Sequence, residues 1–205
     1  MHFETLTEKG KQIFSALDSF KEFYLAGGTA LALYIGHRQS FDFDLFSDKE
    51  IPASLLSRVK KIFADTPVSP AVNNKEELTV FVGEVKITFL YYPFAPVLPL
   101  VQTKHISLLS VSDIAATKAY TIGRRGSYKD YIDVYFILKE HNTTLPEVVE
   151  LAQKKYAQNF NARLFLEQLI YLDDITDTHI LLLKEPVEKN DVRVFFEQEI
   201  KKIQL

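Results

Sequence analysis

Cysteine is absent from the 205-residue chain, which excludes disulfides and thiolate metal sites and is the composition expected of a cytoplasmic protein. Long apolar runs are absent too. No window approaches the roughly 18 consecutive apolar residues of a membrane-spanning helix, so no membrane partner is expected. Residues 1–14, MHFETLTEKGKQIF, carry early acidic residues and no long apolar stretch, so a secretory signal is not expected. An excess of positive charge is missing as well: 24 Lys and Arg face 27 Asp and Glu, for a net charge of −3. That balance argues against a general affinity for nucleic acid, so any such contact has to come from local basic groups. The candidates are Arg58 with Lys60 and Lys61, Arg124 and Arg125 with Lys129, and Lys154 with Lys155, the first and third read by default as solvated helix faces. What remains, 47% hydrophobic and 25% charged residues, is an ordinary globular composition, long enough for one sizeable core or two small lobes.

The most informative stretch is 23–48, FYLAGGTALALYIGHRQSFDFDLFSD. Phe23 to Ala26 suit a short buried strand, Gly27-Gly28-Thr29 break it, and Ala30 to Ile35 restart as helix. Phe41 to Phe46 alternate strictly. This predicts a strand with Asp42 and Asp44 on one face and Phe41, Phe43 and Leu45 on the other. Two carboxylates on one face repel each other and are costly to bury, and a divalent cation neutralises such a pair. A Gly-Gly turn entering a helix presents backbone N–H groups to an anion. Phosphate cradle and carboxylate pair together are what metal-assisted phosphoryl or nucleotidyl transfer requires. The bland reading, a tight turn followed by an edge strand with two wet aspartates, remains beside it.

Around this stretch the pattern predicts an amphipathic helix over 5–20 capped by Thr5 or Thr7, and a second over 53–64 opened by Pro52. Strands follow near 68–72, 78–82 and 85–91, the last two joined through Gly83-Glu84 as a hairpin. Pro93, Pro96 and Pro99 end the sheet, and a lobe boundary is drawn there: 1–100 as an α/β lobe, 101–205 as a helical lobe. In the latter, Ser112-Asp113 is read as the cap of a helix from Ile114 to Ile122 stopped by Gly123. Further helices are expected over 128–140, 145–157, 162–172 and 187–203. Gly126 is read as permitting a sharp reversal. Lys118 lies beside an apolar stripe, and Asp130 and Asp133, three apart, share a helix face. Surface ion pairs of no chemical consequence are the bland reading of this second cluster.

Gly27-Gly28 followed by Asp42-x-Asp44 resembles the signature of DNA polymerase β-like nucleotidyltransferases. GGTALALYIGHRQSFDFDLFS is similar to the AbiEii/AbiGii-type nucleotidyltransferase toxins, as are DIAATKAY and RRGSYKDYIDVYFIL. The resemblance implies an α/β (α+β) fold: a small mixed sheet with flanking helices, then a helical C-terminal lobe that completes the site. It implies Mg²⁺- or Mn²⁺-dependent transfer of NMP from an NTP to an acceptor hydroxyl. RNA, specifically tRNA, is the expected acceptor, and a cognate antitoxin an expected partner. On this reading Asp42 and Asp44 hold metal. Gly27, Gly28, Thr29, Arg38, Lys118, Arg125 and Lys129 bind nucleotide, and Lys118 with Asp130 or Asp133 completes catalysis. His37 is within reach of a phosphate or acceptor. The third carboxylate usual in the superfamily is missing, because the corresponding strand offers Lys86, Thr88 and Leu90. Glu84, Asp113, Asp130 and Asp133 are candidate replacements, an aspartate of the KDxxD segment being preferred. A transferase acting on a small aminoglycoside-type acceptor, or a non-catalytic nucleotide- or partner-binding relative, are the alternatives.

Overall fold

The computed structural model describes residues 1–176 and 179–203, with Arg125 described by its backbone alone. Its centre is a mixed sheet in the order β3 (Val68–Asn73), β4 (Glu77–Val82), β5 (Val85–Tyr91), β2 (Phe43–Ser47), β1 (Tyr24–Ala26) and β6 (Ser107–Leu108). The pairs β2–β5 and β1–β6 are parallel and the others antiparallel. Alternation divides the sheet into unlike faces. Phe43 and Leu45 of β2 and Val85, Ile87 and Phe89 of β5 are buried, whereas Asp44, Phe46, Lys86, Thr88 and Leu90 are only partly covered. Phe20 and Phe23 close on Phe89 at ring-centroid distances of 5.0 and 5.1 Å. Each such fully buried ring contributes about 1.5–3 kcal/mol by leaving water, which makes the closed face the stable side of the sheet. The other face is open beside the Asp-x-Asp segment.

The first helix, α1 (Glu8–Ala16), is capped by Thr7, whose hydroxyl accepts from Gly10 N–H at 3.0 Å. It stops before residue 20 because Leu17–Phe20 tighten into a 3₁₀ turn. Next come α2 (Gly27–Ile35) and α3 (Leu55–Ile62). The C-terminal half supplies α4 (Val111–Arg125), α5 (Tyr128–Lys139), α6 (Leu145–Tyr156), α7 (Ala162–Ile170) and α8 (Lys189–Lys201). An aromatic seam joins it to the sheet. Phe46 stacks on Tyr92 at 4.5 Å, Tyr120 stacks on Tyr156 at 4.0 Å, and the Tyr92 and Tyr156 hydroxyls are 2.8 Å apart.

Several expectations need correction. The α4 cap is Ser110, whose hydroxyl accepts from Asp113 N–H at 3.1 Å, and the helix runs through Gly123 to Arg125. Asp113 is instead buried, accepting from Val97 and Leu98 N–H at 3.1 and 2.8 Å and from Lys155 Nζ at 2.9 Å, so it ties the proline connector to α4 and α6. Gly126 has ordinary extended dihedrals (φ −52°, ψ 135°). Its small size is what the turn uses, since a Cβ there would lie 3.0 Å from both Ile122 Cα and the Tyr131 ring. Strand β6, beyond the expected boundary at residue 100, pairs with β1 as an edge strand of the sheet. Phe41 and Asp42 precede β2 rather than belonging to it, and Phe41 is 45% exposed instead of facing the core.

Candidate active site

The Gly-Gly pair, the Asp-x-Asp segment and the start of α5 meet at one cleft, and each is held there by a nameable contact. Thr29, buried in the first turn of α2, donates its hydroxyl to the Asp42 carbonyl and lies 2.7 Å from the Ser40 hydroxyl. Ser40 N–H in turn donates to the Thr5 carbonyl at 3.0 Å. These bonds fix the approach to β2 against the helix, which is why alternation breaks at Phe41. Gly27 has φ +65°, and a Cβ on it would sit 2.5 Å from Asp44 Oδ2. A Cβ on Gly28 would collide with the Arg38 guanidinium. The two glycines therefore let Asp44 and Arg38 lie directly against the first turn of α2. The residue before that turn, Ala26, offers no side-chain cap to its N–H groups.

Behind the cleft lies a buried ionic cluster centred on Asp133, whose side chain has no exposed surface. Arg38 grips it in a fork, Nε at 2.7 Å and an Nη at 3.1 Å. His37 Nε2 and Lys118 Nζ each reach it at 2.7 Å. Lys118 also bonds Asp130 Oδ1 at 2.7 Å, while Asp130 Oδ2 accepts from Ser127 N–H and hydroxyl at 2.9 and 3.0 Å, closing the first turn of α5. Burial would raise the Asp133 carboxyl, but Lys118, Arg38 and His37 outweigh it and hold it well below the usual carboxylate range. Burial would lower the Lys118 ammonium, yet Asp133 and Asp130 keep it above its ordinary value, so it stays charged. For His37 burial prevails over the Asp133 bond and lowers the imidazole, leaving it neutral near pH 7.

The cleft in front, of about 140 Å³, is lined by Gly28, Thr29, Arg38, Ser40, Phe41, Asp42, Asp44, Lys118, Ser127, Lys129 and Asp130. Most of the site residues named from sequence thus converge. Asp133 does not line the cleft; it lies beneath Lys118 and Arg38. His37 is wholly buried against Asp133 and Phe136 and reaches no phosphate or acceptor. The Arg125 side chain lies outside the described residues. Ser40, Phe41 and Ser127 were missed, although Phe41 had a signal: a large apolar residue directly beside the acidic pair. Of the candidate replacements for a third carboxylate, Asp113 is engaged elsewhere and Glu84 is exposed in the β4–β5 turn. The strand position facing the pair is basic, with Lys86 Nζ 3.4 Å from Asp42 Oδ2.

Among the described residues no group of three or more His, Cys, Asp or Glu is arranged to hold a metal ion. The donor set available is Asp42, half exposed, with Asp44. Burial raises the Asp44 carboxyl, the nearby Lys86 and Lys118 only partly countering it. A desolvated carboxylate next to a second one gains from a bound cation, and two hard oxygen ligands suit Mg²⁺, which keeps waters and substrate phosphates as its other ligands. The residues fit such an ion.

The model of the AbiEii family, described as a nucleotidyl transferase toxin of type IV toxin–antitoxin systems, matches residues 11–204. An uncharacterized protein of Aquifex aeolicus is 32% identical over 188 residues, covering 88% of this chain and 87% of that one. Among solved structures, a putative nucleotidyltransferase from Helicobacter pylori superposes with a TM-score of 0.58 at 17% identity, covering 98% of this chain and 95% of that one. The nucleotidyltransferase toxin MenT4 of Mycobacterium tuberculosis superposes at 0.61 with 14% identity, over 95% and 82% of the two chains. The mixed sheet followed by helices is thus a polymerase β-like nucleotidyltransferase fold, and the chain belongs to the AbiEii family of nucleotidyltransferase toxins of type IV toxin–antitoxin systems.

Proposed function

We propose that the protein transfers a nucleoside monophosphate from an NTP to a hydroxyl of RNA, tRNA being the class to test first, and that it acts as a toxin opposed by a cognate antitoxin. The observation that carries this reading is the carboxylate pair Asp42/Asp44 at the mouth of a cleft whose other walls are Lys118, Arg38, Lys129 and the start of α2. The triphosphate lies along that basic wall. Two of the three Lys118 donors are taken by Asp130 and Asp133, which aims the ammonium and leaves one N–H for a phosphate oxygen. Arg38 is aimed in the same way by its fork on Asp133. Asp133 is therefore a positioning residue, and Asp130, which lines the cleft, is the KDxxD carboxylate nearest the substrate.

A divalent ion on Asp42 and Asp44 would supply charge neutralisation at the phosphates. The acceptor oxygen attacks the α-phosphorus, the bond to the β-phosphate oxygen breaks, pyrophosphate leaves, and the hydroxyl proton passes to water at the open mouth. The strand beside the pair presents Lys86 rather than a carboxylate, which favours an anionic acceptor over a cationic amino sugar. The test is incubation with each labelled NTP, Mg²⁺ and total tRNA, beside Asp42→Ala/Asp44→Ala. Label on RNA that the double variant abolishes supports the reading. No transfer to any acceptor, with no Mg²⁺-dependent NTP binding, rejects it.

A further inference from the structure

The open face of the sheet continues away from the carboxylates, and its first row has an unusual make-up. Lys86 reaches Asp42 from β5, and Phe81 is its register partner on β4. Phe81 is 40% exposed and Phe41 45%, and among the described residues neither ring has an aromatic neighbour, although the chain is rich in aromatic pairs elsewhere. Neighbouring positions on the same face are the buried Thr79 and the partly covered Thr88, whose hydroxyls bond at 3.2 Å. A large ring left 40% exposed beside a lysine forgoes part of what full burial would give, and a lysine opposite a metal-binding aspartate weakens that site. Both features make sense together as a surface for something anionic with aromatic faces.

We infer that Lys86, Phe81 and Phe41 form the acceptor subsite and that it takes the unpaired end of a nucleic-acid strand. Lys86 contacts the last phosphodiester, and the rings stack on terminal bases, as single-strand sites combine backbone charge with stacking platforms. Neighbouring strands are about 4.8 Å apart, so the row from Asp42 to Phe81 spans roughly 10 Å. With stacked bases about 3.4 Å apart, that is room for two to three nucleotides. The position that would carry a third carboxylate is on this account given over to substrate charge. This assignment rests on the transferase reading and names the acceptor side of the same site.

The test is fluorescence anisotropy of the full chain with a short single-stranded RNA and with a blunt duplex, beside NTP and Mn²⁺ binding. Lys86→Ala and Phe81→Ala should each weaken single-strand binding about ten-fold, while Lys86→Arg and Phe81→Tyr largely retain it. NTP binding should be no weaker in any of the four, and Mn²⁺ binding equal or tighter in Lys86→Ala, a split that a merely structural role would not produce. Unchanged RNA affinity in both alanine variants, or equal affinity for the blunt duplex, overturns the assignment. Wild-type protein that binds RNA through these residues but transfers no label would sink the transferase reading and leave Lys86, Phe81 and Phe41 as a single-strand binding site only. Transfer with RNA binding indifferent to both alanine variants would do the reverse.

Discussion

Asp133 is the most consequential single atom group in this structure, because three basic side chains from two distant segments converge on a carboxylate with no exposed surface. Replacing it with alanine leaves Arg38 and Lys118, whose side chains are only 5% and 11% exposed, without their shared counterion. Removing one partner of a buried ion pair costs about 3–5 kcal/mol, and at least that is expected where one carboxylate serves two permanent cations. For a chain of this size 1 kcal/mol moves Tm by about 2–4 °C, so a fall of roughly 6–20 °C is predicted. Asp133→Asn keeps the shape and loses the charge, separating electrostatics from volume. Because the folded carboxyl sits below its unfolded value, its contribution is full above the ordinary carboxylate range and is lost as pH falls through the folded value. The deficit of Asp133→Asn against wild type should therefore be largest near neutral pH and shrink below about pH 4. Urea unfolding of both proteins between pH 3 and 7 measures it. A neutral-pH deficit under about 1 kcal/mol, or one that grows in acid, would refute the cluster as the organiser of Lys118 and Arg38.

Further outcomes follow from the cleft and from the buried Asp113–Lys155 pair. Gly27→Ala forces a side chain into φ +65° and against Asp44, so it should cost about 1–2 kcal/mol in a denaturation midpoint and weaken Mn²⁺ binding as well; normal metal affinity would show that Asp44 does not need the Gly27 backbone. Asp44→Asn removes a carboxyl that burial already disfavours as an anion, so thermal stability without metal should hold or rise while calorimetric Mn²⁺ affinity collapses. Asp113→Ala strands Lys155 and two backbone N–H groups in the interior and should cost about 3–5 kcal/mol. Lys155→Met, which leaves Asp113 its backbone donors, should cost less than half as much in the same titration.

What could be read in the sequence was whatever depends on neighbours along the chain. Alternation in Val85–Tyr91, the Gly83 hairpin and the Thr7 cap are local, and all three are present. So is the sharing of one helix face by Asp130 and Asp133, which meet on the Lys118 ammonium. Contacts made across the fold were not legible. Nothing local ties Arg38 to Asp133, 95 positions later, or tells that His37 is enclosed by that pair. The bridge between Arg38 and Leu182, which straps the His37–Gln39 segment from the C-terminal side, has no local mark either. Strand β6 is two residues long and depends on β1 for its hydrogen bonds, too short for any period to reveal. Gly123 was read as a stop because glycine usually is one; here the helix passes through it where Phe165 of α7 comes close. In the sequence Lys86 shows only as a missing acid, since its meeting with Asp42 depends on the parallel register of β2 and β5.

The central claim is that Asp42 and Asp44 hold the divalent ion that serves nucleotidyl transfer. Anomalous diffraction from crystals grown with Mn²⁺ and a non-hydrolysable NTP tests it most directly. A peak bound by both carboxylates at about 2.1 Å is expected, with the triphosphate against Lys118 and Arg38. A nucleotide bound elsewhere, or a metal peak that involves neither aspartate, would contradict it.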